Sequence, residues 1–176
     1  MKNKLALIGL GNILLRDEGA GVHAVRILRE EHHFTPAIEI VDGGTLGLDL
    51  LPYLEHSDRL LFVDAVDFGK EPGYIGEMED REMTASFRGA LSVHDLGLSD
   101  LLRAAAWKGL KPERICVIGI QPESVEMGLE MTPLIRGRVE ELLKRVVAKL
   151  EAWGVRASGQ VLPTGRSYSP RNEPIG

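Results

Sequence analysis

The chain has 176 residues, 44% hydrophobic and 27% charged, which is typical of a folded domain with a sizeable core. Its formal net charge of -5 argues against a clustered basic surface for nucleic acid, and no apolar run has the length of a membrane span. The single cysteine excludes a disulfide within the chain and a cysteine-rich zinc site, and it favours a reducing, cytoplasmic setting.

In the first part of the chain, apolar strands alternate with helical patterns. The continuous apolar run Leu5–Leu10 predicts a buried parallel strand, and residues 17–33 carry the apolar stripe of an amphipathic helix. Residues 37–41 predict a second strand, residues 46–56 a short helix and residues 60–66 a third strand. The pattern indicates repeated strand–helix units.

The second part continues this alternation with one weaker element. Residues 73–79 predict a short fourth strand at a sheet edge, residues 83–92 a loop, and the residues that follow a helix that ends at Trp107. Arg114–Ile120 is strongly apolar and predicts a fifth strand. Thr132 and Pro133 form a typical helix start, with Thr as N-cap and Pro as the first helical residue.

This order of elements predicts an α/β fold, a three-layer α/β/α sandwich with a mostly parallel sheet of about five strands. We expect a single domain over residues 1–153. Residues 154–176 are rich in Gly, Ser, Pro and Arg, so we expect a flexible tail there. In sheets of this kind, ligands bind at the carboxyl ends of the strands.

Four polar residues follow strands or precede a helix at that predicted edge. Glu18 comes after the first strand, Asp42 after the second and Asp64 at the end of the third, while His94 precedes a helix. Two carboxylates and one imidazole, Glu18, Asp64 and His94, suit a divalent transition ion. Three protein ligands leave coordination positions open for a substrate group or water.

Each of these residues also fits a purely structural role. An acid such as Glu18 is favoured in a first helical turn by the helix dipole, and Asp42 before two glycines is typical of a turn. Asp64 fits a turn at a strand end, and His94 fits an ordinary helix start. The combination, rather than any single residue, favours a metal site.

A nucleotide site is the competing interpretation of the first loop. Gly9 and Gly11 open like a dinucleotide-binding fingerprint, but its third glycine would fall at Leu14 and is absent. The acids Asp17 and Glu18 would also repel a pyrophosphate at the helix N-terminus. The sequence therefore favours a cation over a phosphate.

At these residues the chain resembles the nickel-iron hydrogenase maturation endopeptidases. The resemblance runs in the expected order over about residues 5–150 and is far more specific than one glycine loop. The matching segments are Gly9-x-Gly11-Asn12-x-Leu14-x-x-Asp17-Glu18-Gly19-x-Gly21, Asp42-Gly43-Gly44-Thr45, Val63-Asp64-Ala65, Ser92-x-His94-x-Leu96-Gly97, Gly119-x-Gln121-Pro122-Glu123 and Met131-Thr132-Pro133.

The resemblance implies a hydrolase that removes a C-terminal extension from the precursor of the hydrogenase large subunit after nickel has entered it. It implies that Glu18, Asp64 and His94 bind nickel, which the substrate delivers and which is not a permanent cofactor. The peptidase would be of an aspartyl or metal-assisted type, and Asp42 is our candidate for proton transfer or substrate orientation. We expect a monomer. A non-catalytic nickel-binding chaperone or sensor is the alternative.

Overall fold

The structure is a computed structural model and describes residues 4–79 and 98–159. Its elements are two 3-10 turns and the following strands and helices in chain order. They are β1 (Leu5–Leu10), the turn Arg16–Gly19, α1 (Ala20–Glu31), β2 (His32–Thr35), β3 (Glu39–Gly44), the turn Gly47–Leu50, α2 (Leu51–His56), β4 (Arg59–Ala65), β5 (Ile75–Glu79), α3 (Leu98–Trp107), β6 (Arg114–Ile120), α4 (Pro133–Ala152) and β7 (Arg156–Gly159).

The main sheet has five strands in the order β3-β1-β4-β6-β5. Strands β3, β1, β4 and β6 are parallel, and β5 pairs antiparallel with β6 at the edge. The chain leaves β1 toward β3 on one side and then crosses to β4 on the other side of β1. This reversal creates a switch point between β1 and β4, where the connections diverge and leave a crevice at the carboxyl ends of the strands.

Helices cover both faces of the sheet because the side chains of each strand alternate between the faces. Leu7 of β1 and Leu61 of β4 pack in a core with α1 and α4, whereas Ile8 and Phe62 pack in a second core with α2 and α3. The predicted three-layer sandwich with its mostly parallel sheet is therefore confirmed. The predicted edge strand and the Thr132 N-cap, whose hydroxyl accepts a hydrogen bond from the Ile135 amide, are present as well.

Several segments differ from the sequence prediction. The strand predicted over residues 37–41 spans Glu39–Gly44, so Asp42 lies within it and not after it, and the helix predicted over residues 46–56 begins with the turn Gly47–Leu50. The helix predicted over residues 17–33 begins with a 3-10 turn, becomes α-helical at Ala20 and ends at Glu31. Strand β2 follows directly and pairs antiparallel with β7, which lies inside the segment predicted to be flexible. Each of these strands has only four residues, and neither has a clear alternating pattern. Residues 160–176 lie outside the described residues.

Within the described part of the chain, no helix combines the length and the apolar character needed to cross a membrane.

Candidate functional site

Two buried carboxylates lie where the neighbouring strands β1 and β4 end. Glu18 is in the 3-10 turn that follows β1, and Asp64 is the second-last residue of β4; they are 3% and 1% exposed. The Asp64 Oδ1 accepts a hydrogen bond from the Ala65 amide at 2.8 Å. The structure thus places both of these predicted site residues at the switch point of the sheet.

Glycines let the backbone come close enough to hold Glu18 there. Gly11 has a φ of 132°, and a Cβ at this position would lie 1.9 Å from the Glu18 carbonyl oxygen. A Cβ on Gly21 would lie 2.1 Å from the Val63 carbonyl oxygen, next to Asp64. Any larger residue at either position would push the turn and α1 away from the strand ends. The glycines of the first motif therefore position a carboxylate.

His94, the third predicted ligand, lies outside the described residues. Helix α3 begins at Leu98, four residues later along the chain. Just after the C-terminal end of α3, Lys108 pairs at 2.7 Å with Glu55 of α2, which lies close to the start of β4. This contact places the C-terminal end of α3 near the start of β4. The histidine remains a prediction.

Asp17, the neighbour of Glu18, has a structural role. Its carboxylate is fully buried and accepts four hydrogen bonds from the loop between β6 and α4. The Thr132 amide donates to Oδ1 at 2.7 Å, and Oδ2 accepts from the Thr132 hydroxyl at 3.0 Å and from the Ser124 and Glu123 amides at 2.9 and 3.1 Å. Asp17 thus holds the loop of residues 123–132 at both of its ends.

Asp42, the predicted catalytic residue, lies in β3 and pairs with Arg26 of α1. The Arg26 Nε and one terminal nitrogen lie 2.8 and 2.6 Å from the same oxygen of Asp42. His23, one turn earlier on α1, is buried, and its pKa is lowered by burial and by the Arg26 charge, against the opposing effect of Asp42. The role of Asp42 stays a prediction.

Asp67, the other acid after β4, stabilises a loop. Its Oδ1 accepts hydrogen bonds from the Gly69 amide at 2.9 Å and the Gln121 side-chain amide at 3.2 Å. Gln121 also accepts from the Phe68 amide at 2.7 Å. The bonds that join Asp67 to Gln121 and Asp17 to Thr132 were not predicted, because these partners lie about 50 to 115 residues apart along the chain.

A second group of potential metal ligands lies at the far edge of the sheet, on β5 and β6. Side-chain donor atoms of Glu77, Glu79 and Cys116 lie within 4.8 Å of one another. However, the Lys149 ammonium of α4 pairs with both carboxylates, at 2.6 Å from Glu79. Burial, followed by the negative charge of Glu77, raises the pKa of the Cys116 thiol, as expected for an unreactive cysteine in the core.

Residues 22–149 match the sequence pattern of a family described as hydrogenase maturation protease. The chain belongs to the hydrogenase maturation protease family. This maturation protease is 37% identical over 158 residues to a hydrogenase expression/formation protein HupD of Rhodobacter capsulatus, covering 88% of the chain and 75% of the relative. It is also 37% identical to the hydrogenase 2 maturation protease of Escherichia coli, covering 88% and 94%.

Solved structures agree with this assignment and with the fold. The maturation protease is similar to the hydrogenase maturating endopeptidase HybD from E. coli, with a TM-score of 0.81, 36% identity and coverage of 89% of this chain and 98% of that one. A [NiFe] hydrogenase maturation protease HybD from Thermococcus kodakarensis gives a TM-score of 0.69 at 26% identity, covering 84% and 98%. The resemblance predicted from the motifs is confirmed.

Proposed function

We propose that this maturation protease is an endopeptidase that removes the C-terminal extension of a nickel-iron hydrogenase large-subunit precursor once nickel is in place. The supporting observation is the pair of buried carboxylates, Glu18 and Asp64, at the switch point between β1 and β4. An α/β sheet leaves its ligand crevice there, and hard oxygen donors in that crevice favour a cation.

In this proposal, nickel is part of the substrate. Glu18, Asp64 and His94 take up coordination positions left open on a nickel ion that the precursor already holds. Carboxylates are costly to bury, so contact with a divalent cation strengthens association with the nickel-loaded precursor over the nickel-free one. Binding would therefore favour a precursor that is ready for cleavage, because the nickel-free precursor offers no divalent cation to the two acids.

Positioning then provides much of the rate. A precursor held through its nickel places the scissile peptide over the crevice, which turns an encounter between two molecules into a step within one complex. The nickel can also polarise the peptide carbonyl or lower the pKa of an attacking water. The Asp17-anchored loop forms one wall of this crevice, because it extends from β6 past the end of β4 to the turn after β1.

Asp42 remains the proposed residue for substrate orientation or proton transfer. Its ion pair with Arg26 favours orientation, because the guanidinium holds one carboxylate oxygen. The other oxygen lies 3.7 Å from the position that a Cβ on Gly44 would occupy. Replacement of Asp42 by Asn would then raise KM more than it lowers kcat.

The deciding experiment follows the mass of a purified precursor, loaded with nickel or nickel-free, after the protein is added. We expect loss of a C-terminal fragment only from the nickel-loaded form. His94→Ala should abolish this trimming while the circular dichroism spectrum stays unchanged. Stable binding of nickel-loaded precursor without any cleavage would instead support the chaperone or sensor function. Normal trimming by His94→Ala would contradict its assignment as a ligand.

A further inference from the structure

Large apolar side chains are exposed on one wall of the candidate site. Leu14, in the loop after β1, is 56% exposed, while Met127 and Leu129, in the loop between β6 and α4, are 87% and 66% exposed. Single exposed apolar side chains are common, but three neighbouring ones beside a ligand crevice are typical of an interaction surface.

These three residues are neighbours because their backbones are joined. Leu15 and Gly128 form a parallel bridge, the Gly128 amide donates to the Leu14 carbonyl at 2.8 Å, and the Arg16 amide donates to the Gly128 carbonyl at 2.8 Å. Met127 and Leu129 flank Gly128, so both lie beside Leu14. We call Leu14, Met127 and Leu129 the apolar wall.

The apolar wall is held in place rather than exposed by a loose loop. Asp17 fixes both ends of the same loop, through the Glu123 and Ser124 amides on one side and through Thr132 on the other. A surface that is already ordered loses little conformational entropy when a partner binds. Asp17 therefore joins the loop of the apolar wall to the turn that contains Glu18, the next residue in the chain.

The charge around the wall indicates the chemistry of its partner. The exposed acids Glu123 and Glu126 lie in the same loop as Met127, while the Arg16 side chain packs against Gly128. The two acids therefore outnumber this arginine at the wall. A matching surface presents apolar side chains with basic residues at their border.

We propose that the apolar wall is the docking surface for the precursor, and that it binds an apolar, basic-bordered segment of that protein next to its nickel. This inference rests on the proposed function and adds a second contact to it: the carboxylates recognise the metal, and the wall recognises the polypeptide around it. Contacts distant from the reacting bond then contribute binding energy that holds the scissile peptide in position.

The test measures the affinity for nickel-loaded precursor by fluorescence titration, together with KM and kcat of trimming. The double variant Met127→Ser/Leu129→Ser should weaken binding and raise KM about tenfold or more, as expected for apolar anchors of an interface, with kcat changed less than about twofold. The matched control is Trp107→Ser, since Trp107 is 91% exposed at the end of α3, near the opposite end of the sheet. It should keep wild-type affinity.

Unchanged affinity and KM in the double variant would overturn the docking surface even if the wild type trims the precursor normally. A wild-type dimer that the double substitution dissociates, with precursor affinity unchanged, would also overturn it and assign the wall to a second copy of this chain. If wild type binds but never trims, the proposed peptidase function fails, while loss of binding in the double variant still supports the wall.

Discussion

At the switch point, Glu18 and Asp64 lie buried where β1 and β4 end, whereas at the far edge of the same sheet Glu77 and Glu79 share the ammonium of Lys149. The edge group has the donor spacing of a metal site and includes a buried thiol. In this edge group, however, the positive charge is the Lys149 ammonium of the same chain.

The pKa of Lys149 follows from this arrangement: burial opposes its charge, but its hydrogen bonds to Glu77 and Glu79 raise the pKa above the usual value. Clustered donors therefore do not identify a functional site. What distinguishes Glu18 and Asp64 is their place in the topology, at the switch point where sheets of this kind bind ligands. We propose that they contact a nickel ion held by the precursor there.

The largest expected effect is a difference in trimming activity between variants of the switch-point carboxylates and variants of the edge group. Glu18→Gln removes the charge of a proposed nickel ligand while keeping the size of the side chain, so trimming of nickel-loaded precursor should fall at least about a hundredfold. Glu77→Gln, the matched change at the edge, should trim at the wild-type rate. Mass spectrometry of the precursor over time measures both. Equal loss in the two variants would remove the distinction between the groups.

The second effect separates the adjacent acids Asp17 and Glu18 by stability. Asp17→Ala leaves the buried Thr132 hydroxyl and backbone amides without their acceptor, so the free energy of unfolding should fall by about 3 kcal/mol. Urea denaturation measures this change. Asp17→Asn keeps one acceptor oxygen and should lose less than Asp17→Ala, and Glu18→Gln should lose the least. The reverse order would show that Glu18, not Asp17, anchors the loop.

A smaller effect is expected when the edge group loses its cation. Lys149→Ala should lower the free energy of unfolding by about 1–2 kcal/mol, because Glu77 and Glu79 then repel each other near a buried thiol. Added zinc should raise the melting temperature of this variant and leave that of the wild type unchanged.

The control for that experiment is Lys144→Ala, on the same helix. Lys144 forms an exposed pair with Glu140 at 2.7 Å, and exposed ion pairs of this kind contribute little to stability. Stabilisation of the wild type by zinc to the same extent as Lys149→Ala would contradict the view that the ammonium occupies the cation position.

The smallest effect concerns pH. Because the folded pKa of His23 lies below its unfolded value, the unfolded chain binds the extra proton first, and the free energy of unfolding falls as pH drops below about 6.5. His23→Gln should reduce this loss of unfolding free energy at acid pH, by less than about 1.4 kcal/mol per pH unit. The exposed His33→Gln serves as the control. An identical pH dependence in all three proteins would show that His23 is not held neutral.

Sequence alone predicted the parts of the fold that depend on local pattern. The continuous apolar run of β6 gave its bounds, Arg114–Ile120, and the Thr132-Pro133 pair gave the start of α4. Strands β2 and β7 were missed because a four-residue strand is stabilised by pairing across about 125 residues, which no local pattern contains.

The same limit applies to the site. The motifs selected Glu18 and Asp64, and the structure places both at the switch point. They did not separate Asp17 from Glu18, which occupy one turn and have the same charge. Only Thr132 and the amides of residues 123 and 124, which come together in three dimensions, show that Asp17 is structural.

The most direct test of the nickel assignment is X-ray absorption at the nickel edge of loaded precursor, recorded before trimming with and without this protein. We expect additional oxygen and nitrogen neighbours at nickel on addition of wild type, and no such change with the Glu18→Gln/Asp64→Asn double variant. A nickel environment that is unaltered by the bound wild-type protein would contradict it.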